Sequence, residues 1–224
     1  MCIRDRSTTG SKGEGFIRFL YNENKQAYSS SIDDSLLSKH QIPNLIKNLS
    51  LKIRKPYIIQ EKLLNHPTIA PLCNDALATI RILSMIGKNG KVQLFRPILK
   101  MPQGNAILSY LHSGALVCPI DLSSGKLGKL INSNYYLNSY HPKNGEAIEG
   151  RVIPFWEEVK QKTIEIHSLI ASLPLIGWDL AITPRGMLFL EGNTYPALNI
   201  HQKKPFTPFI PSEFYHLLLH HLES

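Results

Sequence analysis

The sequence predicts an α+β fold built mainly from antiparallel sheets. Two turn signals, Asn89-Gly90 and Arg185-Gly186, each separate two runs of apolar and alternating residues, a pattern that favours β-hairpins. Residues 153–173 instead carry apolar side chains at helical spacing, with a proline in the first turn. Hairpins and separate amphipathic helices together indicate α+β architecture.

The first part of the chain contains short elements. A strand at 16–20 follows a glycine-rich loop, and the polar residues 21–29 close a hairpin or an irregular loop. Two short helices are predicted at 33–40, where acidic residues occupy the opening turn, and at 43–49. Residues 56–64 form a buried strand with a polar end, which is either a plain strand end or a hinge whose edge groups can pair with a planar base.

The second part is rich in strands. Residues 79–86 and 92–100 form a hairpin across the Asn-Gly turn, and residues 116–121 and 126–130 form a further strand pair. After the long helix comes the second hairpin, and a capped amphipathic helix at 212–222 ends the chain.

The second hairpin spans residues 177–193. A three-residue loop at its turn places Thr183 opposite Met187 and, counting outward, Asp179 opposite Glu191. Because side chains alternate along a strand, Asp179, Glu191 and Asn193 project from one face. The other face is predicted to be the core-facing one and carries Trp178, Leu180, Ile182, Leu188 and Leu190.

Two opposed carboxylates are destabilising unless a proton or a cation lies between them. The oxygen ligands of Asp179, Glu191 and Asn193 suit Mg²⁺ or Mn²⁺. A solvated hairpin face whose charges never meet is the alternative. Arg81, in the middle of an apolar strand, is either paired with an acid or directed at phosphate.

Composition limits the class of protein. With 43% hydrophobic and 19% charged residues, and no apolar run of about 20 residues, the 224-residue chain is typical of a globular, cytoplasmic protein without a membrane span. Three dispersed cysteines, Cys2, Cys73 and Cys118, indicate reduced thiols and no zinc site. The net charge of +8 indicates an anionic partner such as a nucleotide, a carboxylate substrate or a nucleic acid.

The beginning of the chain reads differently from the rest. Residues 1–6 resemble translated sequencing-adapter sequence, so they are left out of the predicted fold, and we expect a fragment whose natural N-terminal part is missing. The following loop is dense in glycine, serine and threonine and offers backbone N–H groups to phosphate oxygens. A strand follows this loop, which disfavours the Rossmann and P-loop motifs, since both require a helix there.

Eight short motifs follow one another along the chain: Gly10–Gly15, Ile59-Gln60-Glu61, Thr79-Ile80-Arg81, His112–Ala115, His141-Pro142, Ile153-Pro154, Gly177-Trp178-Asp179 and Glu191-Gly192-Asn193. In this order, and with the Asp-x11-Glu-x-Asn spacing of the hairpin, they resemble the motifs of the sugar-transfer associated branch of the ATP-grasp superfamily. The resemblance runs from residue 7 to about residue 202, and the order and the hairpin spacing are its most specific parts.

The resemblance implies an ATP-grasp fold of two α+β subdomains that grip ATP: a small, incomplete one at 1–60 with the glycine loop, and a large one at 61–224. It implies an ADP-forming carboxylate–amine ligase, or one using a related nucleophile, that acts through an acyl phosphate in polysaccharide or cell-surface glycan biosynthesis. Its partners are ATP, Mg²⁺ or Mn²⁺, and a small carboxylate or sugar-linked substrate. The implied nucleotide-binding residues are Ser11, Lys12, Gly13, Gly15, Gln60, Glu61, Lys62 and Leu63. The implied catalytic residues are Arg81 and Lys100, and the implied metal ligands are Asp179, Glu191 and Asn193.

Three departures from the family pattern bear on activity. A Lys-Pro strand expected before the glycine loop is absent, Lys100 stands where relatives carry arginine, and Ser109-Tyr110 replaces an Asp-Asn pair. A catalytically silent nucleotide-binding module is therefore one alternative, and a nucleic-acid-binding protein is another. Scattered basic residues without interleaved aromatics argue against nucleic acid.

Overall fold

The chain divides into two compact units, residues 1–63 and 64–224. The computed structural model describes residues 2–7, 17–54, 56–73, 76–103, 115–131, 137–202, 209–210 and 212–223. Among the described residues, no helix has the length and apolarity needed to cross a bilayer.

The described residues of the first unit form a five-stranded antiparallel sheet and one helix. Its strand order is β4-β3-β2-β1-β5. The core lies between the sheet and the helix, where Phe19 and Ile42 are almost fully buried. The elements are β1 (Cys2–Ser7), β2 (Ile17–Asn22), β3 (Ala27–Ser30), β4 (Leu36–Leu37), α1 (Gln41–Ile53) and β5 (Tyr57–Glu61).

Three expectations for this unit differ from the structure. The strand predicted to be buried at 56–64 is β5, which runs only from Tyr57 to Glu61 at the edge of the sheet and leaves Ile59 51% exposed. Residues 33–40 do not form a helix: the Asp33 carboxylate accepts a hydrogen bond from the Ser35 backbone, and Asp34 has a φ of 55°, so the chain turns and pairs Leu36 with β3. Residues 1–6 were left out of the predicted fold, yet residues 2–7 form β1, which pairs with both β2 and β5. The segment lacks the alternation of apolar and polar residues that would predict a strand. It nevertheless forms one, because it pairs with a neighbouring strand on each side.

The second unit contains a seven-stranded antiparallel sheet. Its order is β10-β9-β8-β7-β6-β11-β12, so the two predicted hairpins form its centre and one edge. Both predicted hairpins are therefore confirmed. The strands are β6 (Thr79–Ile86), β7 (Val92–Met101), β8 (Leu116–Pro119), β9 (Leu130–Ile131), β10 (Leu137–Asn138), β11 (Leu175–Thr183) and β12 (Gly186–Asn193).

Helices cover the two faces of this sheet. Helix α2 (Trp156–Ser168) buries Trp156 and Val159 against the larger core, and helix α3 (Glu213–Glu223) buries Phe214 and Leu217 against a smaller one. Within the described part of this unit, short 3₁₀ turns lie at Ala70–Leu72 and Asn199–Gln202.

Helix α2 is shorter than predicted. Phe155 has a left-handed backbone with φ 59°, so the helix begins after it and Pro154 lies outside. Beyond Ser168 the chain continues in tight turns, and Leu169, which was predicted to belong to the apolar stripe, is 82% exposed.

Alternation along β6 and β11 sets the position of the functional residues. Ile80, Ile82, Trp178 and Leu180 face the core under α2. Residues between them, including Arg81 and Asp179, therefore lie on the face that α3 covers in part.

Candidate functional site

The hairpin of β11 and β12 brings the predicted metal ligands into register. Asp179 lies opposite Glu191 and Gly177 lies opposite Asn193, as the sequence predicts. The turn itself differs from the prediction: it has two residues, since Thr183 pairs with Gly186 and not with Met187. A bulge at Leu190 restores the register beyond it, because one extra residue in β12 compensates for the shorter loop.

The same bulge changes which side chains of β12 face the core. Near the turn, Met187 and Phe189 pack against the core, and Leu188 is 43% exposed. The prediction that Leu188 faces the core is therefore wrong, because the two-residue turn shifts this part of the strand by one residue and so reverses its faces.

Asp179 is the centre of a partly buried ion-pair cluster. Its Oδ1 accepts hydrogen bonds from Nε of Arg81, at 2.9 Å, and from Nζ of Lys100, at 2.7 Å. Its Oδ2 accepts a further bond from Nη2 of Arg81. Arg81 is its cross-strand neighbour on β6, and Lys100 lies one strand further away on β7. Three adjacent strands thus converge on one carboxylate.

Burial and charge have opposing effects in this cluster. Burial raises the pKa of Asp179, but the bonds and positive charges of Arg81 and Lys100 outweigh it and hold the pKa at about 2. For Lys100 burial dominates: its pKa is lowered although the Asp179 charge opposes this. Asp179 is therefore ionised at neutral pH, and two basic side chains bind this one carboxylate.

Glu191 and Asn193 lie next to this cluster on the more exposed strand. Nδ2 of Asn193 donates to Oε1 of Glu191, at 3.1 Å, and to the carbonyl of Gly177, at 3.4 Å. These bonds use the amide nitrogen, so the amide oxygen can serve as a ligand. Two carboxylates and one amide oxygen at the end of one hairpin are a donor set that fits Mg²⁺.

The metal assignment stays a prediction. Among the described residues, no group of three or more histidine, cysteine, aspartate or glutamate side chains could hold a metal ion. Arg81 and Lys100 already balance the Asp179 charge, so the opposed carboxylates of Asp179 and Glu191 do not by themselves require a metal ion between them.

A buried polar chain supports the strand that carries Asp179. Nε2 of His167 contacts the carbonyl of Leu173, at 2.8 Å, so Nε2 carries the hydrogen and Nδ1, 2.6 Å from Oγ of Ser84, accepts from that hydroxyl. Nε1 of Trp178 donates to the same hydroxyl oxygen, at 2.8 Å. His167 is thus a core histidine with both ring nitrogens hydrogen-bonded. These hydrogen bonds connect His167 of α2, through Ser84, to Trp178, the residue that precedes Asp179.

The other predicted site residues belong to the first unit or lie outside the described residues. Gln60 and Glu61 are exposed on β5, an end strand of the first sheet, and Lys62 and Leu63 follow it. The following predicted residues lie outside the described ranges: Ser11, Lys12, Gly13, Gly15 and the Ser109-Tyr110 pair.

Lys100 and Arg81 bind the Asp179 carboxylate differently. The ammonium group of Lys100 reaches Asp179 with a single bond, whereas the Arg81 guanidinium makes two. An arginine in place of Lys100, which the family resemblance predicts, would offer a second donor in the same plane.

Sequence reasoning missed Arg96 and His201. Nη1 of Arg96 donates to the carbonyl of His201, at 2.7 Å. His201 is fully buried, and burial followed by the charge of Arg81 lowers its pKa to about 3, with Arg96 and Lys100 contributing further. The only signal in the sequence was an arginine before Pro97 inside a strand.

The comparisons with known proteins agree with this architecture. No curated protein matches the chain significantly. The family model for sugar-transfer associated ATP-grasp proteins matches residues 2–204, a range that includes β1 and every element through β12. The chain therefore belongs to the sugar-transfer associated ATP-grasp family, and this membership supports ATP binding and an ATP-dependent, ligase-type role.

Proposed function

We propose that the chain is an ADP-forming ligase that activates a carboxylate as an acyl phosphate and joins it to an amine or a related nucleophile. The proposed setting is polysaccharide or cell-surface glycan biosynthesis in the cytoplasm, with a small carboxylate or a sugar-linked molecule as substrate. The observation that carries the proposal is the Asp179 cluster, where two cations from neighbouring strands meet a carboxylate beside Glu191 and Asn193.

The cluster supplies what phosphoryl transfer needs. A substrate carboxylate oxygen forms a bond to the γ-phosphorus of ATP while the bond to the β,γ-bridging oxygen breaks, and ADP leaves. The amine or related nucleophile then attacks the acyl carbon, and phosphate leaves with the acyl-phosphate bond electrons and takes up the proton that the nucleophile releases. Positioning and charge neutralisation carry most of such a reaction.

Each residue has a defined part in this proposal. The Arg81 guanidinium, already directed by Asp179, orients phosphate oxygens, and Lys100 adds a second positive charge from the next strand. Asp179, Glu191 and Asn193 hold Mg²⁺, which when bound neutralises charge on the nucleotide phosphates. Neither cation needs to transfer a proton.

The nucleotide itself is assigned to two segments of the first unit. Ser11, Lys12, Gly13 and Gly15 are proposed to cover the phosphates, and residues 60–63 to line the adenine and the ribose. Glycine N–H groups suit the first task because no side chain hinders a phosphate from approaching the backbone.

Hydroxylamine trapping tests the reaction. The chain is incubated with Mg·ATP, hydroxylamine and a panel of uronic acids and amino acids, and ADP and hydroxamate are measured. An acyl phosphate predicts equal amounts of both, dependent on the carboxylate, and loss of both in Glu191→Gln. Binding of Mg·ATP without ADP formation on any carboxylate would instead support the silent module.

A further inference from the structure

Arg96 has an unusual backbone. Its φ is 41°, in the left-handed region that residues with a Cβ rarely adopt, although it lies inside β7. At this point the pairing of β7 with β6 shifts: Arg81 pairs with Ile98 and Leu83 pairs with Phe95. Arg96 and Pro97 thus face a single residue of β6, which is a β-bulge. Backbone strain of this kind persists only where its surroundings enforce it, and it is often found at functional sites.

The bulge directs the guanidinium of Arg96 towards the segment after β12. Nη1 donates to the His201 carbonyl at 2.7 Å, and the guanidinium carbon lies 4.1 Å from the centre of the Phe209 ring. Phe209 in turn stacks on Phe214 of α3, with ring centres 4.1 Å apart. A planar guanidinium can stack on a ring and donate in its own plane at once, which an ammonium group cannot do.

The segment that Arg96 holds packs against the Asp179 cluster. At its beginning, Pro196 is so close that a Cβ added at Gly177 would lie 2.5 Å from the Pro196 Cβ and 3.5 Å from Nη1 of Arg81. At its end, the buried imidazole of His201 lies close enough to Arg81 and Lys100 for both charges to lower its pKa. The segment therefore packs on Gly177 at its beginning and is held by Arg96 at its end, where the charges of Arg81 and Lys100 act on His201.

We infer that Arg96 is a positioning residue: by clamping the His201 carbonyl and Phe209, it holds the Asn199–Gln202 turn against Arg81 and Lys100 in the geometry that receives the nucleotide phosphates. The inference rests on the proposed function of the Asp179 cluster. Arg96 acts through the turn and is not assigned any contact with substrate.

Two substitutions separate this role from a purely structural one. Arg96→Gly removes the clamp and accepts the left-handed backbone without strain. Arg96→Lys keeps the charge and loses the guanidinium plane that stacks on Phe209 while donating to His201. This second variant provides the test if Arg96→Gly does not fold. Arg151→Met is the matched control, since Arg151 also binds backbone carbonyls, those of Thr68 and Ala147, within the same unit.

Calorimetric titration with Mg·ATP and thermal melts of the ligand-free chain provide the readout. We expect both Arg96 variants to raise the Kd by on the order of tenfold, a size of coupling typical of residues without ligand contact. We expect Arg151→Met to lower the melting temperature and leave the Kd within about twofold of wild type. Arg96 variants that lose stability but bind Mg·ATP like wild type would overturn the inference. A wild-type chain that binds no Mg·ATP would refute the proposed function itself, and the inference would fall with it.

Discussion

Replacing Asp179 with asparagine should destabilise the folded chain at neutral pH, and progressively less as the pH falls below about 4. Asparagine has nearly the shape of the protonated acid, but it leaves Arg81 and Lys100 close together without their anion. The Asp179 side chain is only 8% exposed, so solvent screens these charges little. The pKa of Asp179 is about 2 and its ordinary value is 3.8. At about 1.4 kcal/mol per pH unit, this difference corresponds to roughly 2 kcal/mol of unfolding free energy at pH 7.

The pH dependence follows from the direction of the shift. A carboxylate whose pKa is lowered by folding stabilises the fold above its ordinary value, and this stabilisation is lost as the pH falls towards the folded value. Urea unfolding of wild type and Asp179→Asn between pH 7 and pH 3 measures the gap, with Glu191→Gln as the control carboxylate on the same hairpin. We expect a gap of roughly 2 kcal/mol at pH 7 that narrows below about pH 4. A variant as stable as wild type at pH 7, or a gap that does not change with pH, would refute the reasoning.

Three further predictions use the same structure. Glu191→Gln should leave the melting temperature of the ligand-free chain unchanged or slightly raised, since cross-strand charge effects are on the order of 0.2–1 kcal/mol. The same substitution should abolish the rise in melting temperature that Mg·ATP causes, and a retained rise would show that Glu191 holds no metal. Gly177→Ala should destabilise the chain by about 1–3 kcal/mol and weaken nucleotide binding, because its Cβ would collide with Pro196; thermal melts and titration with Mg·ATP measure the two effects, and a variant as stable as wild type would contradict the clash. Burial raises the pKa of both Cys73 and Cys118 to about 12, so neither thiol should react with a disulfide reagent at pH 8 until urea unfolds the chain; fast labelling of Cys73 or Cys118 in the native protein, located by peptide mapping, would contradict this.

Local signals were enough for the elements whose geometry is set by neighbouring residues. The Asn89-Gly90 turn closes the predicted hairpin because Gly90 adopts the positive φ that such a turn requires, 74°. The pairing of Asp179 with Glu191 was predicted correctly from a wrong turn. The loop has one residue fewer than expected and the bulge adds one, so the register is right only beyond Leu190.

The misses involve interactions that sequence periodicity does not contain. The helix predicted at 33–40 is replaced by a turn and a short strand, since Leu36 and Leu37 find partners in β3. The Arg96 clamp joins residues 105 positions apart, and its strained backbone depends on the β-bulge. The hydrogen bond from Lys100 to Asp179 joins β7 to β11, with β6 between them. The sequence could therefore name both residues but not their contact.

The most direct test of the metal and nucleotide assignment is a crystal structure of the chain with Mn·ADP, recorded with the anomalous signal of manganese. The account predicts an anomalous peak at about 2.1–2.2 Å from oxygens of Asp179, Glu191 and Asn193, with Arg81 and Lys100 turned towards the nucleotide phosphates. Nucleotide bound with no peak at these three residues, or a peak held by other side chains, would contradict it.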